Sequence, residues 1–326
     1  MAKRRKKAKK AKKKAKKRGT TASKNILLTG AHNFLGKLVL KKLQAEKSIS
    51  KIIIGGEGPL IRGKKVKNLK KNLTENKLIE TIQKEKVHTL IHLGLSDEGK
   101  REKRFERNVM GTINLLGAAA EANIKHVIIR SNYTYYGAWY KNPNFIPETK
   151  RSRRGVSKQT VRDVGDIERY ATEFSRYAED TIVTRLRFSP VVGPTANGAF
   201  MKYLQLDLCP IIMGFDPLIQ LLHEEDAAEA VLATYRTPFD GAVNVAPEGV
   251  EPLLKILRFL GKEMVNVPQL PLESSERLMS MLKTLPFDPG FLRFNCCLEY
   301  ERLHNEIGFI PSYTSAESLR AIEEKF

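Results

Sequence analysis

The sequence predicts an α/β fold in which a doubly wound, mostly parallel sheet carries a smaller C-terminal lobe, and three observations support that expectation. Apolar runs of strand length alternate with helical periodicity from Lys24 to Arg187. A glycine-bearing turn joins the first strand to the first helix. At 326 residues, the chain can bury a core large enough for one such domain with an appended lobe.

The first strand, NILLT from Asn25 to Thr29, leads through a turn into a stretch from Phe34 to Leu43 with apolar residues at helical spacing. The turn reads TGAHNFLG, with Gly30 at the tight bend and Gly36 where the helix must pack closely on the strand, as at the opening of a Rossmann βαβ unit. Phosphates bind at such a turn because free amides at the helix N-terminus point toward them and the helix dipole favours negative charge. The next strand, KIIIG, runs into Gly56 and Glu57. Glu57 lies 21 residues beyond Gly36, the spacing of an acid that holds a ribose hydroxyl, although a solvated loop acid fits equally well. A polar helix from Glu75 to Lys84, the strand VHTLIHL, a long helix from Phe105 to Ala122 and the strand HVIIR follow. A helix near Asp166 to Tyr177 and the strand TIVTRLR complete the alternation.

The net charge of +21 is concentrated at the start of the chain. Residues 1 to 18 hold thirteen Lys and Arg and no acid, leaving 44 basic against 36 acidic residues elsewhere. Such a block cannot bury a core and is expected to be disordered when free. It suits an electrostatic arm for DNA, RNA or anionic lipid, and equally a solvated tail or a nuclear-import signal. No apolar run approaches the roughly 18 residues of a membrane span, and the basic run meets Gly19, Thr20 and Thr21 instead of an apolar signal core. Cys209, Cys296 and Cys297 form no disulfide framework, and zinc spacings are missing, so a reduced, cytoplasmic setting without metal catalysis is expected.

Several segments together resemble the NAD-dependent epimerase/dehydratase family, the extended branch of the short-chain dehydrogenases. TGAHNFLG resembles its TGxxGxxG loop, IHLGL from Ile91 the segment along the cofactor, and NVMGTINLL from Asn108 the NVxGTxNLL helix. RSNYTYYG from Arg130 is similar to the catalytic-strand SSxxxYG, and RLRFSPVVGP from Arg185 to the stretch entering the substrate lobe. LLHEEDAAEAV, GAVNVAP and EIGFIPSYTSAESL match later family segments in order, so the resemblance spans about Lys24 to Ile322. It implies a Rossmann domain over 24–187 that binds NAD or NADP, after a basic tail over 1–23. A substrate lobe with segments returning to the Rossmann core then fills 188–326. The implied cofactor positions are Gly30, Asn33, Phe34, Leu35, Gly36, Glu57, Asn72, Leu93, Gly94 and Asn108. Hydride transfer on a nucleotide sugar or similar small substrate, and a homodimer through helices such as that after Asn108, are implied as well.

The sequence departs from that pattern at its chemistry. None of the ten tyrosines is followed by Lys four residues later, so the Y-x-x-x-K pair is missing. Alignments through Glu173 or Glu168 put Gly165 and Arg169, or Thr160 and Val164, at those two positions. Asn132 stands where a Ser or Thr fixes the substrate oxygen, next to Ser131, and can still hydrogen-bond one. Tyr136, with Tyr133 and Tyr135 beside it, is the candidate substitute acid, against a packing role. Asn33 replaces the middle glycine of the loop, and Asn72 the usual adenine-facing Asp. His92 reads as a core residue, and His223, before Glu224, Glu225 and Asp226, as a helix cap or a substrate-hydroxyl ligand. Two functions therefore compete: an atypical NAD(P)-dependent enzyme, and a catalytically inactive dinucleotide sensor or scaffold tethered to a polyanion by its tail.

Overall fold

The structure, a computed structural model, describes residues 24–69, 75–96, 99–152, 159–268, 282 and 284–326. The basic tail and Asn72 lie outside these residues.

Seven strands form one sheet: β1 Lys24–Thr29, β2 Ile49–Gly55, β3 Val66–Asn68, β4 Val87–His92, β5 His126–Asn132, β7 Ile182–Phe188 and β12 Gly241–Val245. Their spatial order is β12-β7-β5-β4-β1-β2-β3, and every pairing is parallel. Consecutive residues of the central strands face opposite covered sides. Ile26, Leu28 and Ile128 point toward α1 (Phe34–Ala45) and α7 (Glu224–Arg236), while Leu27, Val127 and Ile129 point toward α2 (Glu75–Lys84), α4 (Gly111–Glu121) and α5 (Gln159–Tyr177). A sheet buried on both faces needs such continuous apolar runs, which is why IILL-type segments, rather than alternating ones, mark it in sequence.

The helix expected from Phe105 to Ala122 is built differently. It begins as α3, Arg101–Phe105, passes through a π-helical turn at Glu106–Met110 and continues as α4. Buried Arg104 donates from Nε to Asp163 at 2.9 Å and ties α3 to α5. Helix α5 starts at Gln159, seven residues before the expected Asp166, and β3 escapes periodicity because it is three residues long. The remaining strands and helices are short, and all but β6 follow Ser189. They are β6 Phe145–Ile146, β8 Val191–Val192, α6 Ala199–Leu204, β9 Leu208–Ile212, β10 Leu218–Ile219 and β11 Leu222–His223 before β12, then β13 Glu251–Pro252, α8 Leu253–Phe259, β14 Glu263–Val267, β15 Cys297–Leu298 and α9 Ser315–Arg320.

At the far edge of the sheet, Glu85 receives Lys51 Nζ at 2.6 Å and Lys67 Nζ, and these hydrogen bonds hold its carboxyl down at about 2 from an ordinary 4.5. Because the folded value lies below the unfolded one, this stabilisation is complete above about pH 4.5 and is lost as pH falls toward 2. Both lysines are about half exposed, which limits the effect to about 1 kcal/mol. Urea midpoints of the wild type and Glu85→Gln should differ at pH 6 and converge near pH 2; a pH-independent gap would refute the assignment.

Candidate functional site

Strand order reverses between β1 and β4, and a doubly wound sheet opens its ligand crevice at the carboxyl ends of such a pair. Thr29 and His92 end the two strands in register, with Thr29 Oγ1 2.5 Å from His92 Nδ1. His92 Nε2 lies 3.0 Å from Thr112 Oγ1, whose hydroxyl in turn donates to the Asn108 carbonyl. Burial lowers the His92 pKa to about 4, so a neutral ring bridges β1, β4 and α4. His92 is half-buried, with both ring nitrogens partnered within the fold.

Gly30 follows β1 with φ +76°, and a Cβ there would lie 2.5 Å from the Leu93 carbonyl carbon and 2.6 Å from the Gly94 nitrogen. A Cβ on Gly36 would lie 2.0 Å from the Gly30 carbonyl oxygen. The two glycines thus let the turn, α1 and the end of β4 converge in one cradle. Asn33 caps α1, its Oδ1 accepting from the Gly36 amide at 2.7 Å and its Nδ2 donating to the Leu93 carbonyl at 2.8 Å. Its φ of −76° suits any residue, so a glycine here would supply space rather than a special conformation. The amides of Phe34 and Leu35, first in α1, have no intrahelical acceptor and can serve an anion. The cradle accordingly fits a pyrophosphate, with one further amide covered by the Asn33 side chain. Asn108 holds the loop after β4, accepting from the Ser96 amide and donating to the Ser96 carbonyl. Glu57 is exposed just past β2, level with the same carboxyl edge.

A cleft opens beside this cradle, walled by Phe34, Arg130, Asn132, Tyr133, Thr134, Ser189 and Phe200 among others. Asn132 Oδ1 accepts from the Thr134 amide at 3.0 Å and from the Thr134 hydroxyl, so the group Asn132 can offer a ligand is its amide N–H. Ser189 is 2% exposed, lines this cleft, and its hydroxyl has no hydrogen-bond partner among the described residues. The Arg130 guanidinium lies 5.6 Å from the centre of the Phe34 ring, bringing positive charge to the cleft. Sequence reasoning missed Ser189 and Arg130. The signal was a polar residue immediately before Pro190 at the end of β7, and a basic residue two positions before Asn132 on the same strand face.

Tyr136 is not part of the cleft. It is 1% exposed, donates to Asn244 Oδ1 at 2.7 Å and accepts from Arg187 Nη1 at 2.7 Å, and burial pushes its pKa well above the ordinary tyrosine value. The expectation that it serves as a substitute acid is corrected on that ground: its hydroxyl is enclosed and doubly bonded. Arg187 also pairs with the buried Glu168 of α5 through Nε at 2.8 Å and Nη2 at 2.6 Å, and Ser131 donates to the same carboxylate at 2.6 Å. Arg169, one of the residues aligned with the missing Lys, is half exposed and bonds Asp166. His223 caps α7, its Nδ1 accepting from the Glu225 amide at 3.3 Å. No cluster of His, Cys, Asp or Glu among the described residues could hold a metal ion.

Comparison with known proteins agrees with this geometry. An uncharacterised protein of Mycobacterium tuberculosis (strain ATCC 25618 / H37Rv) is 27% identical over 308 residues, 90% of this chain and 82% of its own. A UDP-glucose 4-epimerase of Yersinia enterocolitica is 27% identical over 193 residues, covering 53% of this chain and 55% of that protein. Among solved structures, MoeE5 in complex with UDP-glucuronic acid and NAD superimposes with a TM-score of 0.71 at 18% identity, over 92% of this chain and 98% of that one. A UDP-galactose 4-epimerase superimposes with a TM-score of 0.67 at 18% identity, over 92% and 97%. These structural likenesses show the fold, a Rossmann sheet with a C-terminal lobe. The model of the NAD dependent epimerase/dehydratase family matches residues 26–246, and the chain, with its glycine cradle at the β1/β4 crevice, belongs to that family.

Proposed function

We propose that the chain binds NAD or NADP across the carboxyl edge of the sheet and exchanges a hydride with a small substrate whose hydroxyl or carbonyl sits at Asn132 and Ser189. The observation that carries this reading is the cradle of Gly30 and Gly36 opening directly into a cleft with an unpartnered buried hydroxyl. The Phe34 and Leu35 amides would hold the pyrophosphate in the space that Gly30 and Gly36 leave open, with Leu93, Gly94 and Asn108 along the cofactor and Glu57 at the ribose. The bound dinucleotide supplies a centre that accepts or returns a hydride. This chain's own residues orient the substrate oxygen by donation from the Asn132 amide and the Ser189 hydroxyl. Nucleotide sugars, named with the Yersinia relative and MoeE5, are the first substrate class to test.

Calorimetric titration of the full chain with NAD, NADH, NADP and NADPH should give micromolar binding of one of them; none binding would overturn the reading. Asn33→Gly uncovers the Gly36 amide, and capping suffers little because glycine is a tolerated N-cap. Affinity for the bound dinucleotide should then rise about tenfold, the worth of one charge-assisted hydrogen bond of about 1.4 kcal/mol. A drop in affinity would mean that the Asn33 side chain itself contacts the ligand.

A second reading keeps the dinucleotide and drops turnover, because no Asp, Glu, His or Lys is among the described residues walling the cleft. Turnover of any sugar nucleotide or alcohol that is lost on Asn132→Ala would refute it. The all-buried free cysteines support a reducing, cytoplasmic setting. Phe105 and Met110, each about 40% exposed on the α3–α4 unit, support a homodimer through that face. Residues 1 to 18 would add polyanion binding, which their deletion should abolish along with its salt dependence.

A further inference from the structure

Arg130 is the one charged side chain among the described residues walling the cleft, and no Asp or Glu stands with it there. A guanidinium stays protonated in proteins, so the charge it brings is fixed. Folding of β5 does not require it. The residues before it, Val127, Ile128 and Ile129, are buried, and a fourth apolar residue would extend the same core without dehydrating a charge.

The pleat decides which way Arg130 faces. Ser131 points to the opposite side, where it donates to Glu168 of α5 at 2.6 Å, so Arg130 and Asn132 share the side of α1. Their backbones are two residues, about 6.6 Å, apart along the strand. The Phe34 ring lies 5.6 Å from the guanidinium and gives it an aromatic face to rest on. A molecule of a few carbons can therefore meet the Asn132 amide with its reacting oxygen and the guanidinium with its other end. That end is best an oxyanion, because two parallel N–H donors of the fork match two oxygens of a carboxylate or phosphate. A neutral hydroxyl in its place would shed water from the guanidinium and leave the charge without a counter-charge.

We propose that the substrate ends in a carboxylate or a phosphate a few bonds from its reacting hydroxyl or carbonyl, and that Arg130 selects that oxyanion. The proposal rests on the reading of the cleft given above and narrows its substrate class to small hydroxy acids, sugar acids or sugar phosphates.

The test titrates the full chain calorimetrically with glucuronate, glucose 6-phosphate and glucose, one skeleton that differs only at its last carbon, in the presence and absence of NAD and of NADP. One of the two anions should bind about tenfold more tightly than glucose, which tells carboxylate from phosphate. Raising the salt from about 0.05 to 0.5 M should shrink that advantage. Arg130→Met keeps an apolar stem beside Phe34 and should abolish the advantage while dinucleotide binding persists. Should that variant fail to fold, Arg130→Gln keeps a polar head and should act alike. Equal binding of all three sugars, or an advantage that survives both variants, overturns the proposal. So does an equal loss of dinucleotide affinity in the variants, which would give the guanidinium to the cofactor's pyrophosphate, or Arg130-dependent binding of UDP-glucose and of neither anion. Dinucleotide binding without anion selectivity removes this inference alone, and Arg130-dependent selectivity without dinucleotide binding removes the reading beneath it.

Discussion

Arg187→Met is expected to destabilise the folded chain by about 3–5 kcal/mol, the cost of leaving a buried carboxylate without its partner. Arg187 and Glu168 are 4% and 2% exposed, and the guanidinium meets both carboxylate oxygens. The same guanidinium donates to the Tyr136 hydroxyl and to the Glu148 carbonyl, and it stacks 3.8 Å from the Tyr135 ring centre. One residue thereby joins β7, α5, the turn after β5 and the segment that follows β6. Removing it should lower Tm by roughly 6–20 °C. Changing Glu168 to Gln in the same molecule should recover part of the loss, because the unpaired charge disappears with it. A single-variant loss under about 1 kcal/mol in denaturant titrations would show that the network contributes little to folding.

Gly36→Ala is expected to weaken dinucleotide binding by at least a hundredfold, about 2.7 kcal/mol, and to destabilise the fold by about 1–3 kcal/mol. The added Cβ meets backbone on two sides, the Gly30 oxygen at 2.0 Å and the Ala31 Cα at 2.8 Å, so no side-chain rotation relieves it. Helix α1 must withdraw from the turn, and its first amides leave the crevice with it. Gly111→Ala is the control, since it begins α4 with helical φ of −59° and its Cβ would meet only the Glu106 oxygen at 3.7 Å. That change should leave binding unaltered and stability equal or slightly higher. Equal binding by the Gly36 and Gly111 variants would remove the cradle from the ligand site.

Gly30, Gly36 and the apolar runs of β1, β2, β4, β5 and β7 were legible in the sequence because each follows from local rules. A buried parallel strand has to be apolar on both faces, and a close approach of backbones has to exclude Cβ. The missing Y-x-x-x-K pair was legible for the same reason, being a matter of residue types at a fixed separation. His223 was read correctly as a helix cap from its immediate neighbours. The packing role weighed for Tyr136 is the one the structure shows, but its partners were not legible, because its strand position does not reveal what waits behind it. Arg187 is 51 residues away and Asn244 is 108 away, and only the folded sheet brings them to the phenol.

The sequence by itself determined the alternation of strands and helices, the glycine turn and the family pattern, since short-range periodicity and spacing encode all three. Tertiary structure alone decided which polar groups remain for a ligand. Asn132 gives its oxygen to Thr134, Tyr136 is enclosed, Gln220 is spent on three backbone groups, and Ser189 is left without a partner. Hydrogen-bond satisfaction depends on contacts between segments far apart in the chain, so it appears only once every segment is in place.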